Sequence, residues 1–206
     1  MPSYKLTYFD ARGRAEPVRL LCAAGGIEYE DVRVGGGMEG EQWAELKPKT
    51  PMGQLPILEV DGTIICQGKA ISRLLAKEVG MAGKTNLDQA RADMICDGVD
   101  DFGMKLVSIF MDKDEKKKEE MKKEMTEKTL PSFFDLFEKL ASAEGYFVGN
   151  SLTWADINFF AFVGFISTFM QGDHLQGYVN LNKVMGNVSA NPGIAKWLKE
   201  RPVTQF

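Results

Sequence analysis

Histidine is almost missing: one residue, His174, stands in 206. A Ser-His-Asp hydrolase therefore has little to build on, because its general base is a histidine held beside the nucleophile. The G-x-S-x-G turn that would present such a serine is also absent. Three cysteines, Cys22, Cys66 and Cys96, make no C-x-x-C pair. Their odd number and scatter argue against a disulfide framework, a redox pair and, with one histidine, a zinc site. They read as reduced core thiols. Basic charge is not in excess: 25 Lys and Arg against 29 Asp and Glu leave a net charge of −4. Such a chain is not drawn as a whole to nucleic acid or to anionic lipid. Long apolar runs are lacking too, since residues 157–166 reach only about half the length of a membrane span and read as a buried helix. The start, Met1-Pro2-Ser3-Tyr4-Lys5, has neither the charged nor the apolar part of a secretory signal, so the expected location is the cytoplasm. The sequon Asn187-Val188-Ser189 would then never meet its glycosylating enzyme.

What is present divides into two halves. Residues 4–9, Y-K-L-T-Y-F, are strand formers, and loop chemistry follows at 10–13. Residues 14–24 place Val18, Leu21 and Cys22 at helical spacing, with Pro17 suited to the first turn and Gly25-Gly26 to the stop. Residues 29–34 read as a second strand, and a glycine triplet at 35–37 opens a long connection carrying Trp43 and Lys47. Residues 55–60 and 63–66 flank Asp61-Gly62, a strong hairpin signal. A helix over 69–79 closes the unit at Gly80. Beyond residue 86 strand signals cease and helical periodicity takes over. The lysine-rich segment 113–128 carries glutamates that nearly cancel its charge, as a solvated helix surface does. Thr153 with Asp156 three residues on forms a capping box for a long apolar helix, and Pro192 and Trp197 mark a short final one. The expected organisation is an α/β domain at 1–80, a linker at 81–85 and an all-α domain at 86–206. Gly80-Met81-Ala82-Gly83-Lys84-Thr85 imitates a phosphate-binding loop but has two residues between its glycines where that motif needs four.

One constellation remains: Tyr8 ending the first strand, Arg14, Trp43 with Lys47, Gly53-Gln54-Leu55-Pro56, and Gln67-Gly68 opening a helix. With G-R-A-E at 13–16, W-A-D at 154–156 and R-P-V at 201–203, it resembles the cytosolic glutathione transferases, specifically their sigma class. The resemblance implies a thioredoxin-like glutathione-binding domain followed by an all-α domain, a homodimer, and conjugation of the glutathione thiolate to apolar electrophiles in detoxification. Glutathione is the co-substrate, with no obligatory metal and no nucleic-acid or membrane partner.

The chemistry accounts for those residue types. A free thiol titrates near ~8.5, so most of it is protonated at neutral pH, and a hydroxyl donating to sulfur favours the thiolate. Tyr8 can be that donor, and by resemblance Arg14 lies near the sulfur. The resemblance assigns the glycyl carboxylate to Trp43 and Lys47 and the cysteinyl backbone to Leu55, beside a cis Pro56, with Gly53 and Gln54 in the same site. Gln67 and Gly68 stand at a helix start, where backbone N–H groups favour the γ-glutamyl carboxylate. The family's usual serine is replaced by Gly68, which removes one bond. Asp101, in D-x-x-D-D-F with Asp97 and Asp100, is expected to reach the γ-glutamyl ammonium across the dimer; that acidic cluster binds a divalent ion in some relatives. Phe9, Met104 and Phe206 are expected to line the electrophile pocket, opened by the small Gly103 and Ser108 where prostaglandin-isomerising relatives carry large side chains. Alternatives of other classes are a non-catalytic ligand-binding or crystallin-like protein and a glutathione-dependent prostaglandin isomerase.

Overall fold

The structure, a computed structural model, describes residues 2–170 and 172–204, with the Phe110 side chain left aside. Two compact units form, Met1–Ala82 with Ser189–Phe206 and Gly83–Val188.

The first unit is built on a four-stranded mixed sheet of order β2-β1-β3-β4. Strand β1 (Tyr4–Phe9) is central, and β2 (Glu30–Val34) runs parallel to it with Tyr8 opposite Arg33. Helix α1 (Glu16–Gly25) makes that crossover. Strand β3 (Ile57–Val60) is antiparallel to β1. Its hairpin partner β4 (Thr63–Cys66) turns at Asp61 and Gly62, both at positive φ, the primed geometry that matches strand twist. Helix α3 (Gly68–Glu78) returns over the sheet. Leu6, Val18, Cys22, Leu58, Ile71 and Leu75 are fully buried in the core between these layers. The stretch after the glycine triplet is not all loop, because α2 (Glu41–Leu46) forms within it and sinks Trp43.

The second unit is helical among its described residues: α4 (Asn86–Met111), α5 (Glu115–Glu124), α6 (Leu130–Leu140), α7 (Trp154–Phe169) and α8 (Val179–Ser189). Helix α5 buries none of its residues, as its charge pattern requires. Pro131 lacks the N–H that would continue the α-helical ladder, and a π turn at Met125–Thr129 precedes it. Phe102, Phe133, Phe134, Phe137, Phe159 and Phe162 form one aromatic core, with Phe133 centred 4.2 Å from Phe137 and 4.3 Å from Phe102. Such contacts add about 0.5–1.5 kcal/mol per pair beyond area burial. Asp156 accepts from the backbone N–H groups of Thr153 (2.7 Å) and Phe147 (2.8 Å) and from the Thr153 hydroxyl (2.8 Å), so the start of α7 is capped as its sequence indicates. Asn187 donates to the carbonyls of Glu144 and Gly145 at 2.9 Å, which makes the sequon asparagine part of the packing.

Helix α9 (Pro192–Glu200) follows and belongs to the first unit. A side chain at Gly193 would collide with the Ala23 carbonyl of α1, so glycine permits the close approach of the two helices. No described helix is long and apolar enough to cross a membrane.

Candidate active site

Tyr8 sits one residue before the end of β1, where the strand hands over to the turn at 10–15, and its side chain is 9% exposed. Its hydroxyl accepts the backbone N–H of Arg14 at 3.2 Å. Gly13, at φ +40°, lies so close that a Cβ there would stand 2.6 Å from the Tyr8 oxygen. The turn thus folds its backbone onto the phenol and occupies one lone pair. Accepting that bond strengthens the hydroxyl as a donor through its own proton. Phe9 packs edge-on to both Tyr8 and Trp43, each centroid 5.5 Å away.

The neighbouring segments bring further candidates together. Gly68 opens α3 beside the same turn: a Cβ on it would lie 3.3 Å from the Arg14 carbonyl and 3.7 Å from Pro56 Cγ. The Leu55–Pro56 bond is cis. Gln67, the residue before the helix, adopts φ 74°, and its amide donates to Gln54 Oε1 at 3.2 Å and approaches Met52 Sδ at 3.4 Å. The Lys47 carbonyl accepts from Thr50 N and Oγ1 at 3.2 and 2.8 Å, fixing the turn, and Gly53 leaves the Lys47 stem 3.6 Å from where a Cβ would be. Tyr8, Arg14, Pro56 and Gly68 therefore adjoin, and Gln54 with Gln67 and Lys47 with Gly53 form linked pairs. At the start of α3, backbone N–H groups and the helix dipole favour an anion.

On α4, Asp97, Asp100, Asp101, Met104 and Ser108 are exposed, while Gly103 is half-buried beneath Phe162. Ser108 Oγ donates to the Lys105 carbonyl at 2.7 Å. No cluster of three or more metal-ligating side chains occurs among the described residues. Phe206, expected in the electrophile pocket, lies outside the described residues.

Sequence reasoning did not single out the charged network beneath the Tyr8 turn. Arg19, fully buried, donates to the Ala11 carbonyl at 2.7 Å, to that of Arg12 at 3.5 Å and to Asp31 at 3.2 Å. Asp31 also binds Arg33, which binds Asp10 at 3.0 Å. Burial works against the charge of Arg33, but its bonds to Asp10 and Asp31 more than offset this and raise its pKa. Burial and the Asp31 charge push the Cys22 thiol up to about 12, leaving it an inert core group. The one signal available in sequence was the spacing of Glu16 and Arg19 on one helix face.

Residues 4–77 match the description "Glutathione S-transferase, N-terminal domain" and residues 100–201 "Glutathione S-transferase, C-terminal domain". The chain is 40% identical to Glutathione S-transferase 1 of Ascaris suum over the full length of both. It is 41% identical to the hematopoietic prostaglandin D synthase of Gallus gallus over 99% of each chain. Among solved structures, prostaglandin synthase D of Nilaparvata lugens superposes with a TM-score of 0.90 at 33% identity, covering 98% of this chain and 100% of that one. The chain belongs to the glutathione S-transferase family. It is an enzyme with a thioredoxin-like first domain, takes glutathione as co-substrate and conjugates its thiolate to electrophilic small molecules.

Proposed function

We propose that Tyr8 is the residue that holds bound glutathione as its thiolate, in a cytoplasmic, homodimeric enzyme of the sigma class that conjugates apolar electrophiles. The observation that carries this reading is the Arg14 N–H donated to the Tyr8 oxygen, which leaves the phenolic proton for the sulfur. In the same reading Arg14 supports the anion, Trp43 and Lys47 take the glycyl carboxylate, and Gly53, Gln54, Leu55 and Pro56 align the cysteinyl backbone. Gln67 and the backbone of Gly68 take the γ-glutamyl carboxylate, and Asp101 of a second copy takes its ammonium. The glutathione-binding domain is residues 1–80, joined through 81–85 to the helical part at 86–206, whose last helix α9 packs in the first unit. Phe9 and the α4 residues Gly103, Met104 and Ser108 select the electrophile. Retention on immobilised glutathione, followed by conjugation of a generic aryl halide, tests the assignment; a folded protein that is neither retained nor active would refute it.

A second reading, glutathione-dependent prostaglandin isomerisation, is favoured by the likeness to the prostaglandin D synthase of Gallus gallus and the prostaglandin synthase D of Nilaparvata lugens. The small residues Gly103 and Ser108 support a broader electrophile range than that single reaction.

A further inference from the structure

The turn that cradles Tyr8 is tied to the far end of the chain. Glu16, 4% exposed at the start of α1, accepts on Oε1 both the indole N–H of Trp197 at 3.0 Å and the guanidinium of Arg201 at 2.7 Å. Its other oxygen faces Arg19 Nη1 at 3.8 Å. Arg19 in turn holds the carbonyls of Ala11 and Arg12, immediately before the Gly13-Arg14 pair that touches the tyrosine oxygen. An unbroken chain of contacts therefore runs from Trp197 and Arg201 through Glu16 and Arg19 to the turn at 11–14 and the Tyr8 hydroxyl. All of these groups lie in one compact unit.

The chemistry of this chain suits positioning better than stabilisation. Glu16 Oε2 and Arg19 Nη2 are buried without a hydrogen bond, and a buried ionic set with unmet groups is a poor source of stability compared with apolar packing of equal volume. What apolar packing lacks is direction. Arg19 grips two particular carbonyls, and Asp31, Arg33 and Asp10 hold the rest of its surroundings. A shift of the turn by a few tenths of an ångström would alter the 3.2 Å bond at Tyr8.

We propose that Glu16 and Arg19 are positioning residues through which the C-terminal helix, by Trp197 and Arg201, sets the turn that orients the Tyr8 hydroxyl toward the glutathione sulfur. The inference rests on the assignment of Tyr8 as the thiolate-stabilising donor. Loosening the C-terminal anchor then raises the pH at which bound glutathione ionises, without removing any group that touches it.

The test compares Trp197→Phe, Arg201→Gln, Arg201→Lys, Tyr8→Phe and Tyr8→Phe/Arg201→Gln, all in the full-length enzyme. The readouts are the pH profile of kcat/KM, the ultraviolet absorbance of bound glutathione thiolate, and thermal stability. Trp197→Phe and Arg201→Gln should each move the profile upward by about 0.5 pH unit or more, a roughly threefold change in the ionisation constant of the bound thiol, with the glutathione KM within about twofold. Arg201→Lys should restore part of the shift, since it keeps a donor for Glu16. In the double variant the shifts should not add, because both changes act on one hydrogen bond. An unmoved profile, with activity falling only as the folded fraction falls, would overturn the proposal. If Tyr8→Phe moves the profile and the C-terminal variants do not, only the positioning chain fails. An unmoved profile in Tyr8→Phe itself would remove the assignment on which it rests.

Discussion

At the scale of single residues, two glycines decide the geometry around Tyr8. Gly13 adopts φ +40° and has no room for a Cβ against the phenol oxygen. Gly13→Ala should therefore displace the hydroxyl, lowering turnover about tenfold or more and stability by about 1 kcal/mol or more; wild-type turnover would show that the close approach is dispensable. Gly68 differs. It is not among the positive-φ residues, the left-handed position being taken by Gln67. A Cβ on Gly68 needs only a small adjustment of the Arg14 carbonyl at 3.3 Å. Gly68→Ser should tighten glutathione binding by up to roughly tenfold through one bond to the γ-glutamyl carboxylate, and any loss of turnover would report displacement of the Arg14 backbone that bonds Tyr8. Calorimetric affinity and Tm measured together check this: weaker affinity at unchanged Tm would mean that residues 67–68 do not hold that group.

At the scale of elements, what could be read in the sequence was what is local. The strand at Tyr4–Phe9, the Asp61-Gly62 hairpin and the Thr153–Asp156 cap all coincide with the expected positions. Strand β3 starts at Ile57, later than its apolar run suggests, after the cis Leu55–Pro56 bond. Helix α2 was hidden because its six residues lie among glycines and prolines and show too little periodicity. The Glu16 contacts join residues 181 and 185 apart in the chain, a separation that no local pattern encodes. The α7 cap also carries a pH signature. Burial pushes the Asp156 carboxyl from 3.8 up to about 6, although bonds from Phe147 and Thr153 act the other way. The folded state thus binds a proton that the unfolded state releases, so this contribution is fully present below about pH 4 and is lost as pH rises through about 6. The stability of the protein relative to an Asp156→Asn variant should accordingly grow as pH falls from 7.5 to 5. Denaturation of both proteins across that range checks the sign, and a difference that shrinks would contradict it.

At the scale of the whole molecule, the residues assigned to glutathione divide between the sheet-based unit and Asp101 on an exposed face of α4. The proposed homodimer gives that carboxylate its role on the neighbouring copy. Asp101→Ala should raise the glutathione KM several-fold, by about 1 kcal/mol, and change kcat little, because the γ-glutamyl end is bound similarly before and during reaction. Light scattering with kinetics on the same sample checks both parts; a fully active monomer would contradict them. Nothing in the sequence pattern fixed the return of α9 to the first unit, which depends on Gly193 meeting Ala23 and on the buried Glu16 carboxylate.

In the proposed mechanism one hydroxyl, held by the Gly13-Arg14 turn, keeps the glutathione sulfur ionised at neutral pH. The pH dependence of kcat/KM for Tyr8→Phe beside the unaltered enzyme tests it most directly, because the substitution removes a single oxygen and leaves the ring contacts with Phe9 in place. The profile should be displaced upward by about one pH unit and turnover at neutral pH lowered roughly tenfold or more, about 1.4 kcal/mol, with glutathione affinity nearly intact. Superimposable profiles with equal turnover would contradict it.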